Sequence, residues 1–410
     1  MNIQPGLSAS FATVLAMRFL HTSDWHLGRS LHRADLRAAQ SAFLDHLVAA
    51  VRSERVDAVL VAGDVYDRAI PPVDAVALYE DALARLRAAG ARVILISGNH
   101  DSARRLGVNS SLIDASGVYL RTRPAALADP VLLADSGGPV AVYGVPYLEP
   151  ALGLPGLDGD STHDTVLREA LGRIRADAAA RGIPRAVVLA HAWVANGGSA
   201  AERQQEAERH TSGSERDISV GGIGYVPASL FDGFSYAALG HLHGRQTLAG
   251  HLRYSGSPLP YSFSEQHHQK GSWLVELAAS GSARADWLPA PVYRRLATLS
   301  GRLDDLLSSA GHDGHEGDFL AVTLTDTVRP EGAMDRLRAR FPHILTLEFR
   351  PADAAADGRS YRQKVSGRDD LAVAAEFVRH VRSTDATDRE RDLLTAAFAA
   401  GFPASDGEEG

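Results

Sequence analysis

Residues 92–101 read RVILISGNHD. Arg92 leads into a run of branched apolar residues, Val93 to Ile96, with no polar alternation, the pattern of a strand covered on both faces. Gly98 ends the run, and Asn99, His100 and Asp101 follow at once. In open α/β sheets ligands bind outside the carboxyl ends of the strands, so three polar side chains at this point mark a candidate site. By itself the stretch leaves His100 open as a metal ligand, a catalytic acid or a turn residue.

The flanking sequence repeats the theme. RFLHTS at 18–23 and DAVLVAG at 57–63 predict two further strands, and between them Leu36, Phe43, Leu44, Leu47, Val48 and Val51 share one helical face. PPVDAVALYEDALARLRAAG has proline at its start and Gly90 at its end, the punctuation of a helix. VAVYGVPY (140–147), RAVVLAHAW (185–193) and SYAALGHLH (235–243) predict more central strands, each ending in polar residues or histidine. The alternation predicts a layered α/β domain, a doubly wound sheet that brings its strand ends to one edge.

The composition of the 410-residue chain, 45% hydrophobic and 22% charged, is that of a globular protein large enough for two or three domains. A net charge of −8 argues against a surface coated in basic residues for nonspecific nucleic-acid binding, so any such groove is local. No apolar run reaches spanning length, which predicts no membrane crossing. Cysteine is absent, removing disulfides, zinc–thiolate sites and thiol nucleophiles, and a cytoplasmic location fits. Residues 1–16 lack the basic start of a secretory signal and read as a disordered leader before Met17.

The strand ends read together carry the chemistry. In order they present Asp24 and His26 in SDWHLG, Asp64 and Asp67 in AGDVYD, then Asn99, His100 and Asp101, then His191 in LAHAW, and His241 and His243 in LGHLHG. A histidine after one strand is usually a surface turn residue; the series is far less common by chance. Oxygen and imidazole donors without sulfur suit a hard divalent ion such as Mn²⁺, with Fe²⁺ or Zn²⁺ also compatible. Residues two apart at a strand tip point the same way, so Asp-x-His and His-x-His pairs with one shared aspartate suit two metals about 3.5 to 4 Å apart. Gly63, Gly98 and Gly240 then let the backbone turn sharply beside the ions.

Beyond residue 250 the texture changes. Strand-and-turn sequence closes the first domain near 290; DFLAVTLTDT, EGAMDRLRARFP and ILTLEFRP predict a small βαβ domain over 295–352. A glycine- and aspartate-rich linker spans 353–366. Two short amphipathic helices separated by STDATD occupy 367–402 and leave an apolar face for a partner.

The ordered set DWHLGR, AGDVYD, GNHD, AHAW and GHLHG resembles the calcineurin-like metallophosphoesterase superfamily, and, with the PP after the second motif and RYSGSP after the last, the SbcD family of bacterial nuclease subunits. The resemblance covers roughly residues 17–400. It implies an α/β class fold, a layered two-sheet α/β/β/α sandwich over 17–290, a small α+β capping domain and a helical C-terminal tail. It implies two divalent ions, Mn²⁺ in the family, one held by Asp24, His26 and His243, the other by Asn99, His191 and His241, with Asp64 bridging. His100 is then no ligand but stabilises or protonates the departing oxygen. The implied reaction is 3′ to 5′ exonuclease action on double-stranded DNA ends and endonuclease action on single strands and hairpins. An SbcC-type coiled-coil ATPase would bind the C-terminal helices, and a homodimer is expected.

Archaeal and eukaryotic relatives carry histidine where this chain has Asp67, whereas SbcD-type chains also have aspartate. Asp67 is a candidate to orient a ligand by hydrogen bonding, and Asp101 to fix the His100 ring. Arg29, Arg33, Arg104 and Arg105 flank the first and third motifs and are candidates for DNA phosphates. His21, His267, His268, His312 and His315 are assigned to no metal. Two other readings stand beside the nuclease: a phosphoesterase of small substrates, and a DNA-end platform for the ATPase whose metal site is secondary.

Overall fold

The computed structural model describes residues 16–157, 161–197, 224–351, 369–382 and 384–401. The expected leader (apart from Ala16) and the expected linker lie outside the described residues. Among these the chain divides into two compact units, 1–293 and 294–410.

In the first unit the elements that matter are β1 (Met17–Thr22), α1 (Arg37–Ser53), β2 (Ala58–Ala62), α2 (Val73–Ala88), β3 (Arg92–Ile96), β4 (Val118–Leu120), β5 (Val131–Asp135), β6 (Gly138–Val145), α3 (His163–Arg181), β7 (Ala186–His191), β8 (Tyr236–Gly240), β9 (Gln246–Ala249), β10 (Leu252–Tyr254), β11 (Gly271–Leu277) and β12 (Ala283–Pro289). They form two six-stranded sheets, ordered β12-β11-β1-β2-β3-β4 and β9-β10-β8-β7-β6-β5. The candidate strand ends come from both sheets, three from the first and two from the second, the two-sheet arrangement that the resemblance implies and that periodicity alone does not separate from one doubly wound sheet.

The continuous apolar runs explain the layering. In β2, Val59 and Val61 face a core shared with Phe43, Leu44 and Leu47 of α1, while Ala58 and Leu60 face the layer between the sheets. Strand β3 divides the same way, Val93 and Leu95 outward, Ile94 and Ile96 inward. In the second sheet Val188 and Ala190 of β7 pack with Leu171 and Ile174 of α3, and Val187 and Leu189 turn inward. Each central strand thus buries both faces, giving a helix–sheet–sheet–helix sandwich. Helix boundaries follow local chemistry: Thr162 and Thr165 form a reciprocal cap at the start of α3, and Gly182 ends it in the left-handed conformation.

The second unit contains β13 (Leu296–Gly301), α4 (Leu303–Ser308), β14 (Phe319–Leu324), α5 (Ala333–Arg340) and β15 (Ile344–Phe349), then α6 (Asp370–Arg382) and α7 (Asp388–Gly401). Strands β13, β14 and β15 make one parallel sheet, so the expected βαβ gains a strand and a helix at its start. Helices α6 and α7 are joined by a bidentate ion pair, Arg382 to Glu390 at 2.7 and 2.8 Å. No helix among the described residues is long and apolar enough to cross a membrane.

Candidate metal centre

The loops after β1 and β2 are tied together by backbone bonds: the N–H groups of Asp24, His26 and Leu27 donate to the carbonyls of Gly63, Asp64 and Val65 at 2.9 to 3.0 Å. Gln40 of α1 donates to the His26 carbonyl at 2.8 Å, so the helix behind the loop fixes its height. Asp24, His26, Asp64 and His241 all have positive φ, at 53°, 44°, 49° and 106°. Such backbone costs on the order of 1–3 kcal/mol per residue, and four of these side chains meeting at one place is the signature of a site.

Two groups of donors meet on Asp64. Nε2 of His26 lies 3.1 Å from Nε2 of His243 and 3.7 Å from Asp64 Oδ2. Nε2 of His191 lies 2.9 Å from Asn99 Oδ1 and 3.4 Å from the same Asp64 Oδ2, and His241 turns Nδ1 to Asn99 Oδ1 at 3.1 Å. Asp24 is wholly buried; its Oδ1 accepts the His241 N–H at 2.9 Å and its Oδ2 accepts the Ser23 hydroxyl at 2.5 Å. Clusters of Asp24, Asp64 and His191, and of His26, Asp64 and His100, bring ligand atoms within 4.8 Å of one another.

The electrostatics fit a cation. His191 Nδ1 faces the Ala62 carbonyl at 2.9 Å, an acceptor only, so it carries the proton and leaves Nε2 for the centre. Burial alone would lower His191, but Asp64 and Asp24 outweigh it and raise the ring to about 9: the negative charge gathered around Nε2 favours a cation there, a proton or a metal ion. Burial lifts Asp24 to about 6 against the pull of His191 and His243. Asp64, pushed up by burial, is brought well below the ordinary carboxylate range by His191 and His26. Burial holds His26 well below the usual imidazole value, leaving a neutral ring. Convergent imidazoles, carboxylates and a carboxamide are the donor set of a hard divalent ion.

His100 belongs to the cluster with His26 and Asp64, but its own hydrogen bonds run to protein groups. Its N–H donates to Asp64 Oδ1 at 2.9 Å, its Nδ1 meets the Asp67 carbonyl at 2.9 Å, and Nε2 is buried without a hydrogen-bond partner. Its ring is edge-on to His26, centroids 4.8 Å apart. The support expected from Asp101 is corrected: Asp101 instead accepts the backbone N–H groups of Val65, Tyr66 and Gly98 at 2.9 to 3.1 Å, locking the loops after β2 and β3 together. The carboxylate of Asp67 is 3.7 Å from His26 Nδ1, too far to bond it, and pairs with Arg29 at 3.3 Å.

Arg29, a candidate for a DNA phosphate, is instead buried, paired to Asp67 and packed over the Tyr261 ring. Arg33, Arg104 and Arg105 are exposed, and Arg105 also donates to the Ala69 carbonyl. The glycines divide too. Gly63 turns with φ +90, but Gly98 and Gly240 do not; they leave room, since a Cβ would fall 2.1 Å from Asp64 Oδ1 and 1.9 Å from the Ala62 oxygen. Sequence reasoning missed Glu265, buried and 3.2 Å from His243 Nδ1, because two histidines beside it in SEQHHQKG drew attention instead.

Comparison with known proteins adds the family. A family model described as calcineurin-like phosphoesterase matches residues 17–244, and SbcD_C, described as the Type 5 capsule protein repressor C-terminal domain, matches residues 292–382. Similar solved structures include GAP50, the anchor in the inner membrane complex of Plasmodium, at 10% identity over 83% of this chain and 99% of that one, TM-score 0.37. A dimetal phosphatase from Danio rerio matches at 14% identity over 67% of this chain and 99% of its own, TM-score 0.37. At such scores the likeness carries no argument. The first family match does: it spans more than half of the chain and every one of the converging side chains, and the chain belongs to the calcineurin-like phosphoesterase family, metal-using hydrolases of phosphoesters, here followed by an SbcD_C domain.

Proposed function

We propose that the chain is the nuclease subunit of a DNA-end-processing complex. In this reading it is a Mn²⁺-dependent phosphodiesterase that degrades double-stranded ends 3′ to 5′ and cuts single strands and hairpins, acting in the cytoplasm as a homodimer with an SbcC-type ATPase. The observation that carries the two-metal part is the position of Asp64 Oδ2 between His26 Nε2 at 3.7 Å and His191 Nε2 at 3.4 Å, one carboxylate serving two donor sets. Asp24, His26 and His243 would hold one ion and Asn99, His191 and His241 the other, with Asp64 serving both.

When bound, two divalent ions supply charge neutralisation at the phosphoryl oxygens and a water acidic enough to attack at neutral pH. The protein's own groups do the rest. Ser23 and the His241 N–H fix both oxygens of Asp24. Asp67 holds the His100 ring by its carbonyl, leaving Nε2 to give a proton or a hydrogen bond to the departing oxygen. Arg33, Arg104 and Arg105 are the exposed cations for flanking phosphates. Phe377, Val381 and Leu393 of α6 and α7 are 55%, 47% and 63% exposed, and this apolar face supports a partner on the C-terminal helices.

The test is digestion of linear duplex DNA labelled at either end, with Mn²⁺, Mg²⁺ or chelator, alongside bis(p-nitrophenyl) phosphate. Shortening from the 3′ ends with Mn²⁺ supports the nuclease. Cleavage of the small diester with intact DNA would favour a small-substrate enzyme, and DNA binding without cleavage a platform. In Arg104→Ala/Arg105→Ala the salt slope of DNA binding should flatten; an unchanged slope removes both from the groove.

A further inference from the structure

We propose that Glu265, backed by Lys270, is a positioning residue for the metal centre that fixes His243 with its proton on Nδ1 and its lone pair on Nε2. The proposal rests on the two-metal reading above. Glu265 is 1% exposed; Oε1 lies 3.2 Å from His243 Nδ1, and Oε2 lies 2.5 Å from Lys270 Nζ and 3.5 Å from the Ser257 hydroxyl. Lys270 Nζ also donates to the His243 carbonyl at 2.9 Å and to Ser257 Oγ at 2.8 Å. The pair therefore grips both the ring and the backbone of one histidine.

The proton placement follows from the inventory of donors. An ionised carboxylate only accepts, so the nitrogen facing it must donate, and a neutral imidazole then has its lone pair on the opposite nitrogen. That nitrogen, Nε2, is the one 3.1 Å from His26 Nε2. Burying a carboxylate and an ammonium costs several kcal/mol per ion before their attraction is counted, and apolar residues of equal volume commonly serve a fold as well or better. A carboxylate behind a ligating histidine, by contrast, raises its basicity and sets its orientation.

Glutamine separates this role from packing. An amide has one acceptor, and both His243 Nδ1–H and Lys270 require one. If the amide oxygen turns to Lys270, its NH₂ faces Nδ1 and forces the proton to Nε2, the wrong side for a ligand. Removing the ammonium as well frees the oxygen for Nδ1.

The experiment is Mn²⁺ titration of the full chain by calorimetry, with melting temperature recorded for each variant. Wild type is expected to bind two ions, Glu265→Gln to weaken one of them by about 10- to 100-fold and leave the other unchanged, and Glu265→Gln/Lys270→Met to recover most of the loss. Unchanged binding in Glu265→Gln, equal loss of both ions, or failure of the double variant to recover would overturn the proposal. If Glu265→Gln does not fold, Glu265→Asp decides: the shorter carboxylate keeps its charge beside Lys270 but draws back from Nδ1, so one ion should weaken while the other binds as in wild type, and two wild-type affinities would overturn the assignment to Glu265. A wild-type chain that binds no Mn²⁺ fails the two-metal reading itself, before any variant is compared.

Discussion

Replacing Gly240 by alanine puts a methyl group where β8 of the second sheet approaches β2 of the first. Its Cβ would lie 1.9 Å from the Ala62 carbonyl oxygen, 2.9 Å from the Ala62 carbonyl carbon and 3.0 Å from His191 Nδ1. Ordinary contacts are near 3.5 Å, so β8 and β2 must separate by more than an ångström or the ring must leave its bond to Ala62. Overpacking of this kind costs about 1–3 kcal/mol and a weakened hydrogen bond about 1 kcal/mol more, together on the order of 2–4 kcal/mol. Thermal melting of the metal-free chain should then fall by on the order of 3–7 °C. Mn²⁺ titration should show loss at the Asn99–His191–His241 position before the other, because Ala62 orients His191. Gly172, inside α3 with open space around it, is the control: Gly172→Ala should stabilise by about 0.5–1 kcal/mol. A Gly240→Ala protein with wild-type melting and two wild-type Mn²⁺ affinities would refute the argument from close approach.

His21 is buried beneath the site, with Nδ1 2.9 Å from the Tyr236 hydroxyl and Nε2 3.1 Å from the Leu239 carbonyl. Burial pushes it from 6.5 down to about 3, so between those values the unfolded chain binds more protons and stability falls as pH falls, by up to about 1.4 kcal/mol per unit. Urea unfolding at pH 7, 6 and 5 should show this slope, and His21→Gln should reduce it; equal slopes would contradict the assignment. Asp101→Asn leaves one acceptor for three backbone N–H groups and should cost about 2–4 kcal/mol in unfolding free energy; a loss below 1 kcal/mol would mean the loops are held otherwise.

Short-range pattern made most of the site readable. Asp24 and His26, and His241 and His243, are two residues apart and Asn99 and His100 are adjacent at the ends of apolar runs, so closeness in the chain groups each pair at a strand end without knowledge of packing. The split into two sheets was not legible from periodicity, because a strand buried on both faces reads the same in either arrangement. The burial of Arg29, a candidate for DNA phosphates, was not legible because it depends on Tyr261, which comes from a loop more than 200 residues on. Glu265 was missed for the same reason: its partner His243 is 22 residues away across a turn, and nothing in local spacing joins them. Asp101 follows His100 directly yet bonds the Val65 and Tyr66 backbone, a contact that only the pairing of β2 with β3 creates.

In the proposed mechanism His100 serves the departing oxygen and not the metals. Bound Mn²⁺ and DNA hydrolysis should be measured on the same preparations of wild type, Asp64→Ala and His100→Ala. Wild type is expected to carry two ions and activity, Asp64→Ala to lose ions and activity together, and His100→Ala to keep two ions with turnover lowered by about 10²- to 10⁴-fold. Loss of an ion in His100→Ala, or two ions with undiminished cleavage, would contradict it.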